Sequence, residues 1–143
     1  MDSDTINLLK EVNSGCKMAT SSMEQIIPSI SNQSFAKLVH DYNTQHINLG
    51  DEAHELLNKH HADEKDPHPI AKAMSWITTE TKITLKSDHT TLAKMLMDGC
   101  NMGIQSISTK INEYKEADDE SIAIAKRLVK LEEEFMADCK KYL

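Results

Sequence analysis

Apolar side chains recur at steps of three and four residues along most of this chain, and that spacing constrains the fold more than any other feature. The first such run comprises Ile6, Leu9, Val12, Cys16, Ala19, Met23 and Ile26. Side chains with this spacing share one face of an α-helix. Glycine (4) and proline (3) are scarce among the 143 residues, whereas an all-β fold needs many turn residues. The sequence therefore predicts an all-α protein.

Capping and turn residues divide the periodic pattern into five predicted helices. Four are long, at 4–29, 33–60, 88–114 and 119–142, and a shorter one at 70–85 follows a charged linker with Pro67 and Pro69. Polar or acidic residues that favour helix N-caps stand before three of the long ones, in the run 31–34, at 87–88 and at 118–119. The length fits one domain, 1–143, with one hydrophobic core.

The two halves of the sequence share an internal repeat. Gly15-Cys16-Lys17-Met18 corresponds to Gly99-Cys100-Asn101-Met102, and apolar residues on either side also correspond. We interpret each half as one helical hairpin. Two such hairpins, joined by a long crossover that contains the 70–85 helix, predict an antiparallel four-helix bundle with pseudo-twofold symmetry.

This layout resembles the ferritin-like superfamily, and more narrowly its small uncharacterised bacterial four-helix-bundle members. The residues that carry the resemblance are Pro69, Trp76, Leu85, Asp88, Leu92 and Gly99. The resemblance implies a crossover helix between the second and third long helices. In di-iron members it also implies a Glu from each of two helices and a Glu-x-x-His pair from each of the other two.

The chain departs from that ligand pattern. None of its seven histidines has a glutamate three residues before it, and the nearest approach is Asp51-x-x-His54. We therefore expect an incomplete di-iron ligand set, without oxidase or iron-storage activity.

His46 is the strongest single candidate for a functional residue. It falls between Tyr42 and Leu49 on the apolar face of the second helix, so it is expected to point inward. Cys16 and His46 lie at similar distances on either side of the predicted turn near Ser31. Because helices rise equally per residue, their side chains are expected to meet at one level.

By the repeat, Cys100 and Glu132 are expected at a similar level in the other hairpin. Cys16, His46, Cys100 and Glu132 then form a candidate site for zinc or iron, since thiolate, imidazole and carboxylate are all competent ligands. The alternative is structural: the cysteines are small core residues, and His46 is a hydrogen-bonded core histidine.

Three mid-helix glycines, Gly15, Gly99 and Gly103, also call for an explanation, because glycine destabilises a helix interior. One reading is close approach of two helices. The other is room for a ligand or a metal-bound water in the centre of the bundle.

The charge distribution disfavours several partners. The net charge is −7, whereas nucleic-acid binders carry a basic face. The acidic N-terminal segment does not have the pattern of a signal peptide, and no apolar stretch approaches the roughly 20 residues of a membrane span. Three widely spaced cysteines indicate reduced thiols and a cytoplasmic protein.

Motifs of known chemistry are also missing from the sequence, which contains no Gly-x-Ser-x-Gly, phosphate loop or dinucleotide fingerprint. We therefore expect a non-catalytic bundle with a structural or partner-binding role, acting as a homodimer or on another protein through a helix face. No resident cofactor is expected. The alternative function is binding of zinc or iron between the helices.

Overall fold

A computed structural model of the protein describes residues 3–60 and 88–143. These residues form four α-helices and no β-strand: α1 (Ser3–Ile26), α2 (Gln33–Lys59), α3 (His89–Glu113) and α4 (Asp119–Cys139). Short 3-10 turns follow α1 and α4. The predicted all-α class is confirmed, and the bounds of the four long helices agree with prediction within a few residues. The predicted 70–85 helix lies outside the described residues.

Side-chain caps explain where three of the helices begin. Asn32, Asp88 and Asp118 each stand in an extended conformation before a helix, and each side chain accepts hydrogen bonds from backbone N–H groups two or three residues later. These bonds satisfy donors that have no partner within the helix. Pro28 lies in the turn that follows α1. Proline lacks an N–H group, so it favours the end of the regular helix there.

The four helices share one hydrophobic core. α1 packs most extensively against α2, and α3 against α4. Every helix contributes fully or nearly fully buried side chains, among them Leu8, Val12, Phe35, Val39, Leu92, Leu96, Leu128 and Phe135. Burial of each such side chain stabilises the fold by roughly 1.5–3 kcal/mol, before the cost of ordering it.

Polar contacts join α2 to α4, and as the residue number increases along α2, that of its partner on α4 decreases. The Tyr42 hydroxyl donates to Asp138, His46 contacts Glu132, and Glu52 pairs with both terminal nitrogens of Arg127. The Tyr42 and Phe135 rings stack with centroids 4.5 Å apart. The middle of α2 therefore faces the middle of α4 at the level of His46.

The first turn of α1 holds the turn between α3 and α4. The Thr5 hydroxyl accepts a hydrogen bond of 2.8 Å from the Asp118 N–H, and the Asp4 carboxylate accepts one of 3.1 Å from the Glu116 N–H. Thr5 is fully buried. These bonds join the beginning of α1 to the turn between α3 and α4 at one end of the molecule.

Charged side chains such as Lys17, Lys37, Asp51 and Lys94 are exposed on the helices. Across residues 3–60 and 88–143, no helix combines the length and the apolar character needed to cross a membrane.

Candidate functional site

α2 carries His46 into the centre of the protein, where its side chain is completely buried. Its Nδ1 lies 2.7 Å from the backbone carbonyl oxygen of Tyr42, one turn earlier. A carbonyl oxygen can only accept a hydrogen bond, so Nδ1 carries a hydrogen and Nε2 is directed across the core. The prediction that His46 is buried beside a polar partner is confirmed.

That partner is Glu132 of α4, which is 5% exposed. Its Oε1 contacts Nε2 of His46. Both atoms carry lone pairs and repel one another unless a hydrogen lies between them. The pair therefore shares one proton, held either as imidazolium with carboxylate or as imidazole with carboxylic acid.

Cysteines from the other two helices approach the same carboxylate. Burial raises the pKa of the Cys100 thiol, and Glu132 raises it further through its charge and a hydrogen bond. Burial also raises the pKa of Cys16, with a further contribution from the charge of Glu132. Both thiols are therefore protonated at neutral pH, whereas the thiolate is the form that binds metals and attacks electrophiles.

The four sequence-predicted residues come one from each helix, and all are buried in the core. His46 and Glu132 are in contact, and Cys16 and Cys100 are near enough to Glu132 to feel its charge. Within residues 3–60 and 88–143, no three His, Cys, Asp or Glu side chains are grouped so that they could hold a metal ion. As arranged, the donors bind a proton, and the zinc or iron site stays a prediction.

Two glycines allow this close packing. A Cβ atom on Gly103 of α3 would lie 2.9 Å from Oε2 of Glu132, and one on Gly50 of α2 would lie 3.1 Å from Cβ of Cys16. Real Cβ contacts are rarely this short. At Gly103 the close contact is with the end of the Glu132 side chain, and a Cβ on Gly15 would make only ordinary contacts. Close approach of two helices is therefore indicated at Gly50 and stays a prediction at the other glycines.

An apolar groove runs between α1 and α3 and has α4 as its floor; we call it the α1–α3 groove. It contains a cavity of about 100 Å³. Its apolar lining includes Met18, Met23, Met95, Met102, Leu128 and Phe135. Cys100 and Glu132 also line it, so the groove reaches the buried His46–Glu132 pair from one side.

Glycine and methionine give the α1–α3 groove its shape. Gly15, Gly99 and Gly103 are all in its lining. A Cβ atom on Gly15 would make ordinary contacts with Leu128 and Ile107, and one on Gly103 would meet Glu132. Methionine is unbranched and polarisable, so it adapts to differently shaped surfaces. The methionines therefore make the groove adaptable.

Sequence analysis anticipated room at the glycines but did not define the groove. The available signal was the helical spacing of Gly15 with Met18 and of Gly99 with Met95, Met102 and Gly103, which places small and flexible residues on two facing helices. Spacing alone did not reveal that these two faces border the same groove.

No protein-family model matches this chain, and no curated protein or solved structure is significantly similar to it. The α1–α3 groove and the His46–Glu132 pair are therefore the features from which a function is inferred.

Proposed function

We propose that this protein is a non-catalytic, cytoplasmic helical bundle that binds a helix of a partner protein in the α1–α3 groove. The observation that carries the proposal is the groove itself, which is apolar, partly open and lined by four methionines. Helix-in-groove recognition uses a hydrophobic channel of this kind. Methionine-lined surfaces repack around different partners, as in proteins that bind many targets.

The proposed architecture is ferritin-like, with two repeated antiparallel hairpins. The opposite order of contacts between α2 and α4 supports it, as does the pairing of α1 with α2 and of α3 with α4. Gly15, Gly99 and Cys100 line the α1–α3 groove, whereas Cys16 lines a pocket between α1 and α2, so the equivalence of Gly15-Cys16 and Gly99-Cys100 stays a prediction.

The chemistry of the core supports a binding role more than a catalytic one. The imidazole and carboxylate that could transfer protons already contact each other. The thiols of Cys16 and Cys100 have raised pKa values because they are buried, so they are poor nucleophiles at neutral pH. The free state of all three cysteines supports a reducing compartment such as the cytoplasm.

Methyl NMR of the full chain, labelled at its methionines, tests the proposal. Synthetic amphipathic helical peptides of basic and acidic composition serve as probes. We expect at least one probe to shift the signals of Met18, Met95 and Met102, which line the groove. If no peptide shifts any of these signals, the proposed function is wrong.

A blocked groove provides the matched control. Ala19 is partly buried in the groove lining, whereas Ala123 is exposed on α4 outside it. We expect Ala19→Trp to abolish the peptide-induced shifts and Ala123→Trp to preserve them, with both variants keeping the helical circular dichroism of the wild type. Undiminished binding by a folded Ala19→Trp variant would contradict the proposal.

A second candidate function is binding of zinc or iron by Cys16, His46, Cys100 and Glu132. One observation favours it: Nδ1 of His46 donates to a backbone carbonyl, which is how metal-ligating histidines are commonly oriented. Thermal melts with and without added zinc or ferrous iron test this candidate. A metal-dependent rise in melting temperature that is lost in His46→Ala, but kept when exposed His54 is replaced by alanine, supports it. Equal responses in wild type and His46→Ala would eliminate it.

A further inference from the structure

The charged side chains that line the α1–α3 groove all have one sign. Glu11, Asp98 and Glu132 are in the lining, and the lining residues that the structure describes include no lysine, arginine or histidine. An apolar groove with only acidic side chains favours an occupant that combines apolar and basic groups.

The three carboxylates differ in their burial and in their interactions with basic side chains of the same protein. Glu132 is buried against His46. Glu11 is also buried. It interacts electrostatically with Lys110: a hydrogen bond to Glu113 raises the pKa of Lys110 most, and the charge of Glu11 raises it further. Asp98, in contrast, is exposed on the α3 rim of the groove. Asp98 is therefore the carboxylate that an arriving partner meets first.

We infer that the occupant of the α1–α3 groove is a basic amphipathic helix of a partner protein, with a lysine or arginine placed over Asp98. This inference rests on the proposed function and specifies the chemistry of the partner. It also assigns Asp98 as the residue that selects for positive charge.

The length of the groove matches that of a helix of a few turns. Its α3 wall extends from Met95 to Ile107 and its α1 wall from Glu11 to Ile26. At 1.5 Å per residue these walls are about 18 and 22 Å long, so a partner helix of about 12–15 residues spans them. Such a helix presents apolar anchors at positions i, i+4 and i+7.

The cavity within the groove accepts one of those anchors. Its volume of about 100 Å³ suits one large apolar side chain, and Gly15 is among the residues that line the groove. A Cβ atom on Gly15 would meet only the ends of the Leu128 and Ile107 side chains, at 3.4 and 3.5 Å. Buried anchors in well-packed pockets dominate the affinity of helix recognition.

Two other occupants are less suited to this charge pattern. A second copy of the chain carries the same net charge of −7, which opposes self-association. Residues 61–87 of the same chain contain four Lys and four Asp or Glu, so they carry no net positive charge. Both occupants are outcomes of the experiment below.

Fluorescence anisotropy with three labelled peptides of about 15 residues tests the inference, because that length covers the groove. One is a Leu/Lys amphipathic helix, the second has Glu in place of Lys, and the third has the first composition in scrambled order. With the full-length protein at physiological salt, we expect the basic helix to bind with a Kd about tenfold or more below that of the other two.

Charge reversal at Asp98 is the discriminating variant, and Asp51 is its matched control. Asp51 is exposed on α2, outside the groove lining, and its replacement by lysine changes the net charge equally. We expect Asp98→Lys to raise the Kd of the basic helix by roughly fivefold. We expect Asp51→Lys to leave the preference between basic and acidic helices intact.

Each contrary result has a distinct meaning. Equal binding of basic and acidic helices, or equal losses in Asp98→Lys and Asp51→Lys, would overturn the inference while the groove remains a binding site. Failure of every peptide to bind, with unchanged methionine signals, would overturn the proposed function as well.

Two results would identify another occupant. If the protein without peptide sediments as a dimer and Ala19→Trp dissociates that dimer, the occupant is a second copy of the chain. Nuclear Overhauser contacts from Met95 or Met18 methyl groups to Trp76 in the monomer would identify the chain itself; either result contradicts the inference.

Discussion

We predict that removing one member of the buried His46–Glu132 pair destabilises the protein more than removing both. In His46→Leu, the carboxyl group of Glu132 stays buried without its partner. Breaking a buried pair in this way costs about 3–5 kcal/mol. In Glu132→Met, Nε2 of His46 is left without a partner in the core, at a cost of about 1–3 kcal/mol.

The double variant His46→Leu/Glu132→Met leaves neither group unsatisfied. Replacing a buried charged pair by apolar side chains of similar volume is often neutral or stabilising, so the double variant is expected to cost less than about 1.5 kcal/mol. The two single variants sum to about 4–8 kcal/mol. The coupling free energy between the two positions is therefore expected to be at least about 2 kcal/mol.

Urea denaturation followed by circular dichroism measures these free energies of unfolding, with a chelator present so that metal binding does not contribute. The slope of free energy against urea should be similar in all four proteins, which checks that their unfolding transitions are comparable. Additive effects within about 0.5 kcal/mol would refute the reasoning, because independent sites behave in that way.

Three further predictions concern the helices and thiols. Gly15→Ala should stabilise the protein by up to about 1 kcal/mol in urea denaturation, because its Cβ makes only ordinary contacts of 3.4 Å or more. Gly50→Ala should gain less or lose stability, since its Cβ would lie 3.1 Å from Cβ of Cys16, and equal gains would contradict the packing argument. The three cysteines should react with a thiol reagent only after unfolding, because burial raises the pKa of each thiol, that of Cys139 to about 12. Fast reaction of the native protein would count against this prediction. Asp118→Ala should cost about 1 kcal/mol at neutral pH. The hydrogen bonds from Ser121 lower the pKa of Asp118, so its contribution is present above the unfolded pKa and is lost as pH falls through the lower folded pKa. A difference between wild type and variant that persists below that pH would be inconsistent with the cap.

The helix boundaries could be predicted because local chemistry determines them. Asn32, Asp88 and Asp118 cap helices through bonds to their own next few residues, without help from distant parts of the chain. Helical spacing also sufficed to place His46 inside and to select Glu132 from the run Glu132–Glu134. Glu132 alone of those three is buried, and its two neighbours are exposed.

The chemistry of the site was harder to predict because it depends on contacts between distant residues. Sequence analysis counted donor types, and Cys16, His46, Cys100 and Glu132 qualified as metal ligands by type. Donor types gave no information on the raised thiol pKa values, which result from burial and from the charge of Glu132. Nor did it reveal the α1–α3 groove, whose existence depends on how far apart two helices lie.

The methionines of the α1–α3 groove bring a chemical vulnerability with their adaptability. Peroxide converts a methionine thioether to a polar sulfoxide, and reductases reverse the change. Met95 and Met102 are only partly buried, whereas Met23 is almost completely so. Oxidants would therefore reach Met95 and Met102 on the α3 wall first and make that wall hydrophilic, while the core beneath keeps its packing. A groove of leucine and isoleucine would lack this sensitivity, so binding through the methionines is tied to the oxidative state of the cell.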